Sequence, residues 1–135
     1  MIRTAVQNQE LLQIGEATNV WNSVHIDDLI ELYGLVLDLA LSGSNTNTPY
    51  ENFFFGSSDH YVWGDIAREL ARLLHAQGLI KSDQPKSVSR SETVRLTASN
   101  SRSVANRGFA LGWKPVGKSL KETLQEEIDL TISQL

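Results

Sequence analysis

Thr18 to Leu41 reads T-N-V-W-N-S-V-H-I-D-D-L-I-E-L-Y-G-L-V-L-D-L-A-L, and the fold turns on this stretch. Asn19 to His25 is a short β-type run with Val20 and Val24 as its aliphatic points. At Asp27-Asp28 it turns into a long apolar helix. The acidic pair falls in the first helical turn, where carboxylates suit the exposed N–H groups and the positive end of the dipole. Leu29, Ile30, Leu32, Tyr33, Leu35, Val36, Leu37, Leu39, Ala40 and Leu41 follow, with Glu31 and Asp38 as the main polar exceptions. Those are too many apolar positions for one stripe, so the helix is expected to be covered on most of its circumference.

Upstream, Ile2 to Gln9 reads as a short helix, and Leu11 to Gly15 as a brief strand ending in a turn. Downstream, Ser42 to Pro49 has the composition of a flexible loop. Glu51 to Phe55 then carries three consecutive phenylalanines closed by Gly56, an unalternating run that suits a strand covered on both faces. Tyr61 to Gln77 sets Val62, Ile66, Leu70, Leu73 and Leu74 on one helical face, with Gly78 as the stop. Lys81 to Arg95 is polar, with a short strand expected around Val94 to Leu96, and Asn100 to Asn106 reads as a further short helix stopping near Gly108. Ser119 and Glu122 form a capping box for a last amphipathic helix on Leu120, Leu124, Ile128, Ile132 and Leu135. Helix, loop, buried strand, helix is α/β punctuation in a single domain, residues 1–135.

A chain of 135 residues, 41% apolar and with a formal charge of −4, is large enough for a core of its own. Its mild acidity and scattered Lys and Arg argue against a surface that tracks nucleic-acid phosphates. Without cysteine there is neither a disulfide framework nor a Cys-based zinc site, and His25, His60 and His75 lack metal-ligand spacing, so no metal is expected. The N-terminus has no apolar signal core, and Glu31 and Asp38 interrupt the long helix below membrane-spanning length. A soluble, cytoplasmic protein is the expectation.

Several pieces in order carry a family resemblance: Ile14-Gly15, W-N-S-V-H-I-D-D-L at Trp21 to Leu29, the run Asn52 to Gly56, Trp63 before I-A-R-E-L-A, and L-G-W-K-P at Leu111 to Pro115. Together they resemble the C-terminal portion of extended short-chain dehydrogenase/reductases, the NAD-dependent epimerase/dehydratase family, and in particular its atypical fungal members. The resemblance implies an α/β fold, a mainly helical substrate-binding lobe with a few short strands, lacking the N-terminal Rossmann half. It also implies that the segment Phe53 to Leu74 completes a sheet supplied by that half, and that NAD(P) serves the full-length family. No G-x-G-x-x-G loop and no Tyr-x-x-x-Lys occurs here: Tyr33, Tyr50 and Tyr61 are followed four residues on by Leu37, Phe54 and Asp65. No cofactor is therefore expected in this chain. Where sugar-nucleotide members commonly have an arginine, this chain has Trp21, and Glu16-Ala17 stands where relatives often have Asp-Gly. A less polar metabolite than a nucleotide sugar follows.

The expected substrate-contacting residues are Trp21, Asn22, His25, His60 and Tyr61; no catalytic residue is expected. His25 with Asp28 has the makings of a proton-transfer pair, but Asp28 reads more strongly as a helix cap. Gly112 to Ser119 satisfies G-x-x-x-x-G-K-[ST], and Leu35 to Asp38 imitates the acidic partner motif of nucleotide hydrolases. A working phosphate loop needs a long buried strand before it, and only Phe109-Ala110-Leu111 precedes this one, so a turn plus capping box is the stronger reading. Three functions stay open: a substrate lobe whose cofactor half lies elsewhere, a stand-alone remnant that binds a small molecule or a protein, and a non-redox isomerase or cyclase reusing the cavity. The Phe53 region, as an exposed apolar strand, further suggests a Rossmann-half partner or a homodimer.

Overall fold

Residues 1–43, 48–89 and 98–135 are described by a computed structural model of the chain. The fold is α/β and mainly helical. Among the described residues the order is α1 (Ile2–Asn8), β1 (Leu12–Ile14), β2 (Val20–Ser23), α2 (Ile26–Leu41), a 3-10 turn (Pro49–Asn52), β3 (Asp59–Val62), α3 (Trp63–Ala76), β4 (Lys86–Val88), α4 (Asn106–Ala110) and α5 (Leu120–Ile132). The residues group into two compact units. β2 and β3 form a two-stranded sheet.

Unit one comprises Met1–Trp21, Tyr61–Ser101 and Lys121–Leu135. Its centre is α3, whose Ile66, Ala67, Leu70, Ala71 and Leu74 are buried on one side, as the spacing predicts. Ala5 of α1, Leu11, Ile80 and Ile128 of α5 close over that side, with Ile2, Val6, Leu73, Leu79 and Ile132 around the rim. The outer side of α3 is wet and paired, Arg68 to Asp65 and Arg72 to Glu69. That hydrogen bond from Arg72 holds the Glu69 carboxyl below the ordinary carboxylate range. Gly64 opens the helix where its N–H reaches Ala17 O at 2.8 Å, and a Cβ there would stand 3.1 Å from the same oxygen. β1 and β4 pair in parallel, Leu12 with Lys86, Gln13 with Ser87 and Ile14 with Val88. The pairing strand thus lies at 86–88; the strand expected around Val94 to Leu96 falls outside the described residues.

Unit two comprises Asn22–His60 and Arg102–Leu120. Its core is Leu32 of α2 with Ala105 and Trp113, flanked by Val24, Leu29, Leu35 and Val36. Three expectations are corrected here. First, α2 is covered on one side only: Ile26, Ile30, Tyr33, Leu37 and Leu41 are between 56% and 76% exposed. The chain that packs on α2, around Gly56, Gly108 and Trp113, meets it at Leu29 and Leu32 and leaves those five side chains exposed.

Second, Asn52 to Gly56 is not a strand. A strand needs a neighbour to take its backbone groups. Here the Tyr50 and Phe53 carbonyls accept from the Arg107 guanidinium at 2.7 and 2.8 Å, and Ser58 N–H donates to Ser23 O, just ahead of β3. Phe53 and Phe55 are exposed and Phe54 half-buried, the alternation of an extended segment covered on one face.

Third, the short helix lies at Asn106–Ala110, not at Asn100 to Asn106. In unit one, Asn100 Oδ1 accepts from Val20 N–H, and Ser101 N–H donates to Val20 O, which ties that segment to β2.

Candidate functional site

Trp21 and Tyr61 come together with Trp63 in unit one, each ring 5.7 Å from the Trp63 ring. The Trp21 indole N–H is spent internally, donating to Ser99 O at 2.6 Å, so this side chain offers a flat apolar face. Burial pushes the Tyr61 hydroxyl above its ordinary value near 10. The remaining expected contacts, Asn22, His25 and His60, belong to unit two. Asn22 lies on β2, and a ring nitrogen of His60 is 3.0 Å from Ser103 O.

His25, not Asp28, is the N-cap of α2. Its Nδ1 accepts from Asp27 N–H at 3.3 Å and lies 3.5 Å from the Asp27 carboxylate. Asp28 sits in the first turn as the sequence suggests, but its buried carboxylate points into another loop. There Oδ1 accepts from Val116 N–H at 2.9 Å, and Oδ2 accepts from Gly117 N–H at 2.9 Å. Asp28 O accepts from the Trp113 indole at 2.7 Å. Consecutive N–H groups form an anion-binding concavity, and here an internal carboxylate fills it. Gly117 is required by closeness: a Cβ there would collide with the His25 ring and stand 2.7 Å from Asp28 Oδ2. The phosphate-loop lookalike is therefore an anchor for the start of α2. The proton-transfer pair is not assembled, because both partners are engaged elsewhere. Ser119 directly precedes α5 and Glu122 lies in its first turn, the positions a capping box requires.

One cavity of unit two is lined by described residues other than the five expected contacts. This cavity, about 380 Å³, has Leu29, Leu32, Tyr33 and Val36 of α2 as one wall and Phe53 and Phe54 as the other. Asn52 is among its lining residues. Gly56 also lines it, and a Cβ there would come 2.6 Å from Leu29 Cδ1. The volume suits a small organic molecule, and the lining is apolar with an amide and a phenol as polar points. Its lining offers apolar contact and includes no carboxylate or imidazole for proton transfer. The phenylalanine run was visible in the sequence, but its pairing with the Leu29 face of α2 joins segments that carry no local signal for each other. Among the described residues no cluster of His, Asp or Glu could hold a metal ion. No helix among them is long and apolar enough to cross a membrane.

The chain is similar to the oxidase ucsJ of an Acremonium species, 27% identical over an alignment of 141 residues. The alignment takes in 93% of this chain and 40% of that protein, so the chain spans well under half the length of this curated relative. No family model matches the chain, and no solved structure matches it.

Proposed function

We propose that these residues are the substrate-binding part of an oxidoreductase-like protein of the extended short-chain dehydrogenase/reductase type. The ligand is a small, largely apolar metabolite held between α2 and the phenylalanine run. The observation that carries this reading is the cavity of about 380 Å³ with aliphatic and aromatic walls. The similarity to an oxidase adds the chemical class. A dinucleotide does not fit the residues present. The chain has no G-x-G-x-x-G loop, and the Val116 and Gly117 amides of its one phosphate-loop lookalike are donated to Asp28. Hydride transfer therefore belongs to a carrier held outside these residues, and this chain's part is to bind, orient and exclude water.

Two titrations test the reading. An apolar fluorescent probe is expected to saturate the chain, and Val36→Trp, which fills the cavity, is expected to abolish that binding while the circular dichroism stays unchanged. NADPH, followed by nicotinamide fluorescence, is expected to show no saturable binding. Micromolar NADPH binding, or probe binding indifferent to Val36→Trp, overturns it.

A further inference from the structure

The phenylalanine run lines the cavity without belonging to a sheet, and a cation reaches its backbone from α4. Arg107 Nη1 donates to Tyr50 O at 2.7 Å and to Phe53 O at 2.8 Å, so the two hydrogens of one nitrogen hold two carbonyls. Bonds from a charged donor are stronger than those between neutral groups. The Arg107 charge also acts on Glu51, in the 3-10 turn that leads into the run. That carboxylate accepts from Thr48 N–H at 2.7 Å and from Thr48 Oγ1 at 2.8 Å. These bonds first, and the Arg107 charge after them, hold it below the ordinary carboxylate range.

α4 is fixed in turn against the opposite wall. Ala105, its N-cap, is buried with Leu32 and Trp113 in the core of unit two. Gly108, next to Arg107, lies so close to α2 that a Cβ there would stand 3.1 Å from Leu32 Cδ1 and 3.2 Å from Trp113 Cε3. Leu32 lines the cavity. One short helix therefore packs on the α2 wall and grips the phenylalanine wall by its backbone. Phe53 is exposed and Phe54 half-buried, so side-chain packing holds that second wall only weakly. Arg107 is not among the lining residues, and it acts through the wall rather than on a ligand.

We propose that Arg107 is a positioning residue of the cavity. By tying the Tyr50 and Phe53 carbonyls to a helix that packs on Leu32, it sets the gap between the two walls and with it the size of ligand admitted. This inference rests on the reading of the cavity as a ligand site. A wall already in place spares an arriving ligand the cost of ordering it. Without the guanidinium the run loses that fixed course, so affinity falls and the size limit blurs.

The test uses the purified chain, the apolar fluorescent probe and a series of n-alkanols that compete with it. For the unaltered chain, competition is expected to strengthen with each added methylene until the gap is filled, and then to stop. Arg107→Met is expected to bind the probe about tenfold more weakly and to lose that cut-off, with its urea midpoint unchanged. Chymotrypsin should cut at Phe53 to Phe55 faster in this variant. Arg107→Lys, whose single ammonium can also donate to both carbonyls, is expected to recover part of the affinity and the cut-off. An unaltered chain that binds no probe overturns the reading of the cavity and this inference with it. An unaltered chain that binds, matched by Arg107→Met in affinity and cut-off, overturns this inference alone. So does a loss shared equally by the methionine and lysine variants with a fallen urea midpoint, which would make Arg107 a general prop of the fold.

Discussion

The two long helices make an instructive pair. α3 has a mixed composition with charges on one side, and unit one closes over its apolar face until Leu70, Ala71 and Leu74 are at most 1% exposed. α2 is far more apolar, yet unit two covers only its Leu29, Leu32 and Val36 side. More apolar residues do not mean more burial; what decides is whether the chain returns to pack on them. Burial of α3 draws on three separated stretches of sequence, from Ala5, Leu11, Ile80 and Ile128. α2 is held instead by polar anchoring at its start, where Asp28 grips Val116 and Gly117.

Truncating one leucine in each helix should expose this contrast most sharply. Leu70→Ala in α3 is expected to cost about 3 kcal/mol in urea unfolding, combining lost transfer energy with a residual cavity. Leu37→Ala in α2, at 56% exposed, should stay within about 0.5 kcal/mol. Comparable losses at both sites would break the comparison. Asp28→Ala comes next. It strips the Val116 and Gly117 amides of their buried acceptor and is expected to cost about 2 kcal/mol, read as an earlier unfolding transition in Trp113 fluorescence. An unchanged transition would mean the start of α2 does not depend on that loop.

The smallest effect concerns pH. Burial raises the Tyr61 hydroxyl above its ordinary value, so the folded chain holds this proton more firmly than the unfolded chain does. The associated stability is complete below the unfolded value near 10 and is lost as pH rises through the folded one. Tyr61→Phe is expected to flatten the decline above about pH 10, while Tyr33→Phe, at an exposed position of α2, should leave it as it is.

Regular elements announced themselves where local chemistry and packing agree. The acidic first turn of α2, the face of α3 and the Leu124–Ile128 stripe of α5 are all readable from spacing. What escaped depends on distant partners. Pairing of Leu12–Ile14 with Lys86–Val88 joins segments that have no local signal for each other. The phenylalanine run has the composition of a doubly covered strand, but composition does not supply the neighbours, and Arg107 takes two carbonyls there. In the same way Asp28 has the local signature of a cap, and only the return of Val116 and Gly117 gives its carboxylate a different destination. The cavity was hidden for the same reason: its lining comes from two separate stretches of sequence, 29–36 and 52–56.

The grip of Asp28 on Val116 spans 88 positions along the chain. During synthesis the first helical turn of α2 emerges long before its latch exists, so unit two cannot lock until Gly117 has left the ribosome. Unit one waits longer still, for Ile128. Early stretches of this polypeptide must therefore travel through the cell's folding machinery with their oily surfaces uncommitted, and a nascent chain stalled before residue 116 is where holdase chaperones should be found bound.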